Sequence, residues 1–389
     1  MATRSETTRP DREAGYSSLL AWYERNRRDL PWRQKRDPYA IWISEIMLQQ
    51  TRVDTVLPYY KRFLTRYPSL EDLAAAETDE VLGLWSGLGY YRRARLLHQA
   101  ARQMVAGGGE FPRDLEGLRS LPGVGVYTAA AVGSIAFGIV EPAIDGNIER
   151  VISRYLGIAG DLRRGEARRH LVDGARSLLD PERAGDSNQA LMELGATVCR
   201  PRKPRCAHCP LARRCEGRRS GSPAAYPTTR ARPTTVRVKR RVVVVREEGK
   251  TLLYRRPEGS ELLAGMWELP WTEQAENLPA DAGLARRYGG RWRVGRSLGK
   301  VRHTITHRSF EMEVLEAQLN SGQELADGPE AGWFSTAELA DLAVSSLVRK
   351  VLRVAPECSA VLASREQIPT QQLAVALAQP QGDHRAQET

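Results

Sequence analysis

Through the first 140 residues apolar positions recur every three or four residues, the spacing of helices that each bury one face. Leu19, Leu20, Trp22 and Tyr23 share such a face over 17–27, and Trp42, Ile43, Ile46 and Met47 share one over 39–50. The same spacing predicts helices at 52–66, 70–74, 78–86, 90–106 and 114–120, with Gly- or Pro-containing breaks between them. The longest uncharged stretch, 120–140, opens with Pro122 and carries glycines at 123, 125, 133 and 138. It reads as a loop followed by a buried helix rather than as a membrane span. No apolar–polar alternation occurs before residue 235. Beyond it the period changes to two: strands are predicted at 238–246 and 251–256 around a turn at Glu248–Gly249, and further strands at 292–299 and 302–318. Helices fit 281–288, 336–343 and 345–353. The chain is therefore multidomain, with an all-α first half and a mixed α+β second half.

Composition refines the boundaries. Residues 1–14 are polar and are expected to be flexible. An all-α domain is expected over 15–215. Residues 216–236 are rich in Gly, Ser, Pro and Arg and are read as a basic linker. An α+β domain is expected over 237–360 and a disordered, Gln-rich tail over 361–389. The length, 389 residues, suits two or three domains. No internal repeat is found. Lys plus Arg exceeds Asp plus Glu, 58 against 47, for a net charge of +11. That excess favours an anionic partner, nucleic acid first. Without a secretory signal or a membrane span, a cytoplasmic monomer is expected, nucleoid-associated if bacterial.

Four of the five cysteines, Cys199, Cys206, Cys209 and Cys215, fall in one C-x6-C-x2-C-x5-C segment. A disulfide framework does not fit a long chain without a leader. Soft thiolate ligands select an iron–sulfur cluster or zinc, and the spacing leaves both open, with His208 as a rival ligand. Zinc more often pairs two short knuckles across a longer loop. The loop is basic (Arg200, Arg202, Lys203, Arg205, Arg213, Arg214), so a metal that ties it down would also hold charges against phosphate. Cys358 lies far away and reads as an ordinary thiol.

Gly123, Val124 and Gly125 sit in Leu121-Pro122-Gly123-Val124-Gly125, between two helical stretches. Two glycines permit a tight turn and expose successive amides at a helix start, which can grip a phosphate without reading sequence. A plain helix–helix turn would look the same. With Ile144-Asp145-Gly146-Asn147 about twenty residues on, and then the four cysteines, this hairpin resembles the helix-hairpin-helix DNA glycosylase superfamily. Ser44-Glu45-Ile46-Met47-Leu48-Gln49-Gln50-Thr51, Gly87-Leu88-Gly89-Tyr90-Tyr91 and the extra C-terminal domain resemble, more narrowly, the adenine glycosylases of the MutY type. The likeness is strong over 16–220 and looser over 237–355.

That resemblance implies a great deal. The fold would be a helix-hairpin-helix core with a helical barrel module at about 37–139 and a cluster module formed by 15–36 and 140–215. A Nudix-like domain would follow. The cysteines would hold a [4Fe–4S] cluster. The partner would be double-stranded DNA containing adenine opposite 8-oxoguanine or guanine.

Cleaving an N-glycosidic bond takes a proton for the leaving base and a negative group for the oxocarbenium-like sugar, and two carboxylates supply both. Glu45, on an apolar helix, would have a raised pKa and act as the acid. Asp145, which as an Asp-Gly could equally be a helix cap, would stabilise the sugar cation, supported by Asn147. Tyr127 stands where the endonuclease III branch carries its Schiff-base Lys, so a monofunctional enzyme that leaves an abasic site is expected.

Trp32, Arg33 and Glu193 match adenine-pocket positions. Gln49, Gln50, Thr51, Leu88 and Tyr90 match DNA-contacting positions, with Gln49 and Tyr90 wedging into the duplex. In the second domain no Arg-Glu-x-x-Glu-Glu magnesium box follows Gly265-Met266-Trp267-Glu268-Leu269-Pro270, so hydrolase activity is not expected. Ile305-Thr306-His307 stands at the 8-oxoguanine-recognition loop usually written Phe-Ser-His. A mismatch thymine glycosylase and a non-catalytic damage-binding protein are the competing readings.

Overall fold

The computed structural model describes residues 9–228, 234–274, 278–320 and 330–355. Residues 1–8, Cys358, the expected tail at 361–389 and part of the expected linker lie outside the described residues. The chain divides into two units, 1–233 and 234–389.

The first unit is helical. Its helices are α1 (Arg9–Asn26), α2 (Pro38–Leu48), α3 (Val53–Arg66), α4 (Leu70–Ala75), α5 (Thr78–Trp85), α6 (Arg92–Ala106), α7 (Leu115–Ser120) and α8 (Val126–Phe137). α9 (Gly146–Leu156), α10 (Gly165–Arg176), α11 (Ala184–Thr197) and α12 (Glu216–Arg219) follow. α1 runs into the segment expected to be flexible, so 9–14 is helical. α2 starts at Pro38, which fixes φ where an amide would go unpaired, with Asp37 capping the Tyr39 amide. Its body is apolar on all sides and is buried throughout from Ile41 to Met47, Glu45 included. Leu19, Trp22 and Tyr23 of α1 pack with Ile148 and Ile152 of α9, Leu191 and Leu194 of α11, and Val198 and Leu211 beside the cysteines. Residues early and late in the unit thereby share one core.

The segment read as a linker from 216 is in part structured. α12 packs on α9, and the backbone carbonyl of Tyr226 accepts from Arg154 Nε at 2.9 Å. Gly217 lies against the Arg154 backbone, where a Cβ would stand 3.0 Å from its carbonyl oxygen. An aperiodic, Arg-rich composition hid a segment held by single contacts rather than by an apolar face.

The second unit is a seven-stranded sheet with helices. Its strands are β1 (Val236–Glu247), β2 (Lys250–Arg255), β3 (Trp267–Glu268), β4 (Trp271–Glu273), β5 (Arg291–Ile305), β6 (Arg308–Asn320) and β7 (Ala331–Ser335). The order is β3-β2-β1-β6-β5, with β4 paired to β1 and β7 to β2; β1 and β6 run parallel and the other pairs antiparallel. α13 (Ala280–Tyr288), α14 (Glu338–Asp341) and α15 (Ser346–Val354) complete it. Val242, Val244 and Phe310 pack with Val348 and Leu352 of α15, and Val243, Val245 and Leu315 pack with Leu284 and Tyr288 of α13.

Two expectations are corrected here. The break between the long strands is not at 300–301 but at Thr306–His307, because register shifts between Val294, Ser297 and Gly299 disturb the alternation. The helix expected at 336–343 is the single turn α14.

Candidate active site

A cleft of about 1100 Å³ opens in the helical unit. The middle of α2 supplies Ser44 and Glu45, the start of α8 supplies Tyr127 and Thr128, and the start of α9 supplies Asp145, Gly146 and Asn147. Trp32, Arg33 and Glu193 line the same space. Residues up to 165 positions apart thus meet on one wall.

Glu45 is 5% exposed. Tyr127 Oη donates to its Oε2 at 2.6 Å. Burial among the apolar residues of α2 pushes the carboxyl up to about 7; the Tyr127 hydrogen bond and the Arg33 charge oppose this, and the Asp145 charge adds to it. About half of the carboxyl groups therefore keep their proton at neutral pH. The Tyr127 phenol is pushed far above its ordinary value by burial and by the two carboxylates, so it is a donor only.

Asp145 is the N-cap of α9. Its Oδ1 accepts from the Asn147 and Ile148 amides at 2.9 and 2.7 Å, and its Oδ2 accepts from Asn147 Nδ2 at 2.7 Å. Burial raises its pKa, and these three donors and the Arg150 charge oppose the rise. The cap that the Asp-Gly pair suggested and the cleft-lining carboxylate are the same side chain.

Arg150, one turn along α9, was not foreseen. Its Nη2 donates to Asn147 Oδ1 and to the Gly195 carbonyl, both at 2.8 Å, and its Nε to the Cys199 carbonyl at 2.8 Å. It ties the Asp145–Asn147 pair to the first cysteine.

Glu193 is fully buried and is gripped by two arginines, Arg28 (2.7 and 3.0 Å) and Arg33 (2.8 Å). Burial pushes its pKa up, but the arginine hydrogen bonds and charges outweigh that and hold the carboxyl below its ordinary value. Arg28 was also missed; only the basic run before Pro31 hints at it. Trp32 is buried, with its ring edge-to-face on Tyr60.

At the hairpin Gly123 takes φ 79°, and a Cβ there would lie 2.8 Å from Leu96 Cβ. Gly125 caps α8 without a side chain, so the first amides of that helix face the cleft mouth unpaired within the helix. Val124 is buried and Gly123 and Gly125 are exposed.

Gln49 is half-buried, its Nε2 donating to Thr128 Oγ1 at 3.1 Å, whereas Gln50 is exposed at φ 57°. Tyr90 is 44% exposed at φ 49°, and Leu88 is buried at 5%. In the other unit, Ile305 packs against the sheet core, while Thr306 (φ 54°) and His307 are exposed at the β5–β6 turn.

Cys199, Cys206, Cys209 and Cys215 line one small cavity of about 20 Å³ together with Val198, Pro204 and Pro223; His208 is exposed and does not line it. Two 3₁₀ turns, Cys206–His208 and Ala212–Arg214, set the spacing. Arg154 braces the loop through the Arg200 and Pro201 carbonyls at 2.7 and 3.0 Å. Burial pushes the Cys209 thiol up to about 12, and the neighbouring thiols add to it. Among the described residues no three His, Cys, Asp or Glu side chains are arranged to hold a single metal ion. Arg154, Arg205 and Arg218 also line the cavity, and an all-sulfur donor set ringed by cations fits an anionic iron–sulfur group.

Residues 43–176 match the HhH-GPD superfamily of base excision DNA repair proteins, and residues 241–354 match the NUDIX domain. Over 397 residues the chain is 37% identical to the adenine DNA glycosylase of Mus musculus, covering 87% of this chain and 77% of that one. The chain belongs to the adenine DNA glycosylase family. The family's human member is 38% identical over 400 residues, covering 87% and 73%. A solved thermostable thymine-DNA glycosylase shares 34% identity at a TM-score of 0.51, covering 55% of this chain and all of that one. The family places this chain in base excision repair, as a DNA glycosylase that hydrolyses N-glycosyl bonds. No described helix is long and apolar enough to cross a membrane.

Proposed function

We propose that the cleft hydrolyses the N-glycosidic bond of an adenine extruded from double-stranded DNA, opposite 8-oxoguanine or guanine, and leaves an abasic site. The observation that carries this reading is the pairing of Glu45 and Asp145 on one cleft wall, both buried, with the Tyr127 hydroxyl donating to Glu45 and two amides and the Asn147 side chain donating to Asp145. Glu45, desolvated and protonated near pH 7, gives its proton to a ring nitrogen of the leaving adenine. The C1′–N9 bond breaks with its electron pair going to the base. Asp145, held by the start of α9, faces the positive charge left on the sugar, and water adds to C1′ with loss of a proton. Tyr127 offers no amine, so the strand stays intact after base release.

Trp32 walls the base, and Arg33 with Glu193 reads its edge. Gly123–Gly125 and the start of α8 hold a phosphate, and Gln49, Gln50, Thr51, Leu88 and Tyr90 hold or fill the opened duplex. Cys199, Cys206, Cys209 and Cys215 would hold a [4Fe–4S] cluster, which fixes the basic loop 200–214 as a rigid element. In the second unit Thr306 and His307, exposed on a tight turn, are placed to recognise 8-oxoguanine, with Ile305 serving as packing.

Single-turnover excision on A:8-oxoguanine, A:G and T:G duplexes, developed with hot alkali, tests this. Cleavage of both adenine duplexes and not of T:G is expected, with no strand break before alkali. Glu45→Gln is expected to bind DNA and release no base. Thr306→Ala with His307→Ala is expected to erase the preference for 8-oxoguanine over guanine. Adenine release by Glu45→Gln at the parental rate would remove Glu45 from the acid's role, and T:G cleavage in place of A:G would replace the substrate.

A further inference from the structure

The loop 49–51, after α2, lines the cleft, and a second loop, 87–90, lies before α6. One guanidinium, Arg93 of α6, joins them. Its Nη1 donates to the Ile46 and Met47 carbonyls, both at 2.9 Å, and to the Gln49 carbonyl. Its Nη2 donates to Thr51 Oγ1 at 3.2 Å and to the Gly89 carbonyl at 3.1 Å. Its plane lies over Trp85 and Tyr90, 5.5 and 5.4 Å from the ring centroids.

The arrangement is unusual in three ways. Ile46 and Met47 carry carbonyls of the last turn of α2, which have no amide partner within the helix, so Arg93 acts as that helix's C-terminal cap. Next, among the described residues Arg93 has no carboxylate partner; burial lowers its pKa to about 10, and its charge is met by carbonyl and hydroxyl oxygens and by the Trp85 and Tyr90 rings. Finally, Gln50 and Tyr90, the exposed side chains of the two loops, both sit in the left-handed backbone region, at φ 57° and 49°. A non-glycine residue holds that conformation only when its surroundings over-determine it. Arg93 does so for both. Gln50 lies between the two residues of its loop, Gln49 and Thr51, that Arg93 grips. Tyr90 lies between Gly89, gripped by Nη2, and Arg93 itself, whose amide donates to the Tyr90 carbonyl at 2.8 Å. The sequence shows only an Arg two residues past Tyr91, with nothing to connect it to Gln50.

We propose that Arg93 is a positioning residue that locks Gln50 and Tyr90 into one rigid wedge, so that the helix end of α2, which also carries Glu45, and the wedge move as a single body on DNA. The proposal rests on reading these loops as duplex-opening elements, with the exposed Gln50 taking the wedge role expected of Gln49, whose amide is bound to Thr128 Oγ1. Lysine keeps the charge but offers one point donor, which cannot span five acceptors on two loops.

The test uses full-length holoenzyme, with an A:G duplex carrying 2-aminopurine beside the target adenine to report unstacking. A second duplex, with a tetrahydrofuran abasic analogue opposite guanine, needs no extrusion. A misplacement of about 1 Å can cost about 10²-fold, so Arg93→Lys is expected to slow excision and the fluorescence rise by about 10- to 100-fold. Affinity for the abasic duplex and the melting temperature should stay near parental. Tyr90→Ala should slow the same step, and the double variant should be no slower than the worse single, because both act through one unit.

If Arg93→Lys melts early, Thr51→Val, which cuts one strut and leaves Arg93 in place, must slow extrusion at a parental melting temperature. Parental extrusion by Arg93→Lys, or losses that multiply with Tyr90→Ala, overturns the proposal. Parental extrusion by Tyr90→Ala overturns the wedge reading itself, and the proposal with it. A uniform loss of excision, abasic binding and melting temperature in both Arg93→Lys and Thr51→Val reduces Arg93 to a folding role.

Discussion

Tyr127→Phe deletes one hydrogen bond from the proposed acid and little else, since the ring stays packed against Ala130, Ala131 and Ala143. The Glu45 pKa, at about 7, is a balance in which burial raises it and the Tyr127 hydrogen bond is the largest opposing influence. A hydrogen bond to a charged group contributes about 1.5–3 kcal/mol. At 1.36 kcal/mol per pKa unit, losing it lifts the carboxyl by about one to two pH units.

The sign follows from the role. A general acid works while protonated, so excision is full below the Glu45 pKa and is lost as pH rises through it. The alkaline limb, expected near pH 7 in the parent from the raised carboxyl, moves upward in the variant. At about pH 8 a group titrating near 7 is about one-tenth protonated, whereas one shifted up by one unit is about half protonated. The ratio of variant to parent rates should therefore climb about threefold between about pH 7 and about pH 8, whatever the loss in absolute rate. Single-turnover excision at saturating enzyme across that range measures it. A limb that stays in place or moves down refutes both the donor role of Tyr127 and the acid role of Glu45.

Two further substitutions probe the support behind Asp145. Arg150→Gln breaks the link between Asn147 and the Cys199 carbonyl; excision should fall by about 10- to 100-fold, the equivalent of one charge-assisted hydrogen bond, and the holoenzyme should lose its visible absorbance faster under chelation. Gly195→Ala puts a Cβ 2.6 Å from Asn147 Cβ and 3.0 Å from its Cα, so α9 and α11 must part; denaturant unfolding should show a loss of about 1–3 kcal/mol together with slower excision. Gly146→Ala, with nothing within 4 Å of its Cβ position, should show no comparable loss of stability.

The sequence made local features legible and long reaches illegible. Asp145, Gly123–Gly125 and the cysteine spacing are short-range patterns whose chemistry is written within a few residues, and each lies at a helix end or turn where the chain itself sets the geometry. The long amphipathic helices were readable for the same reason. Arg28, Arg93, Arg150 and Arg154 were not, although each holds a functional segment in place. An arginine's partner is decided by how helices pack: Arg28 finds Glu193 across 165 residues, Arg93 finds Met47 across 46, and Arg150 finds Cys199 across 49. In a chain with so many basic residues, nothing in the spacing separates such an arginine from one that merely faces water. The strands β3, β4 and β7, two to five residues long, are shorter than the alternation needed to see them, and the bulges in β5 displaced its end.

The two carboxylates show why both local pattern and packing are needed to assign chemistry. A carboxyl on an apolar helix and a carboxyl before a glycine look alike as residues, and on the cleft wall they are neighbours. They differ in what surrounds them. Among the described residues Glu45 has only the Tyr127 hydroxyl as a hydrogen-bond donor and is buried, so its neutral form is favoured. Asp145 has two backbone amides, an Asn amide and the positive end of α9, so its anionic form is supported against the same burial. Burial raises both pKa values and the donors on Asp145 hold back its rise; in the proposed reaction this difference divides the work, one acid keeping a proton to give and the other a charge to offer. For that reason the contacts of Tyr127, Asn147 and Arg150 belong to the chemistry as much as the acids do.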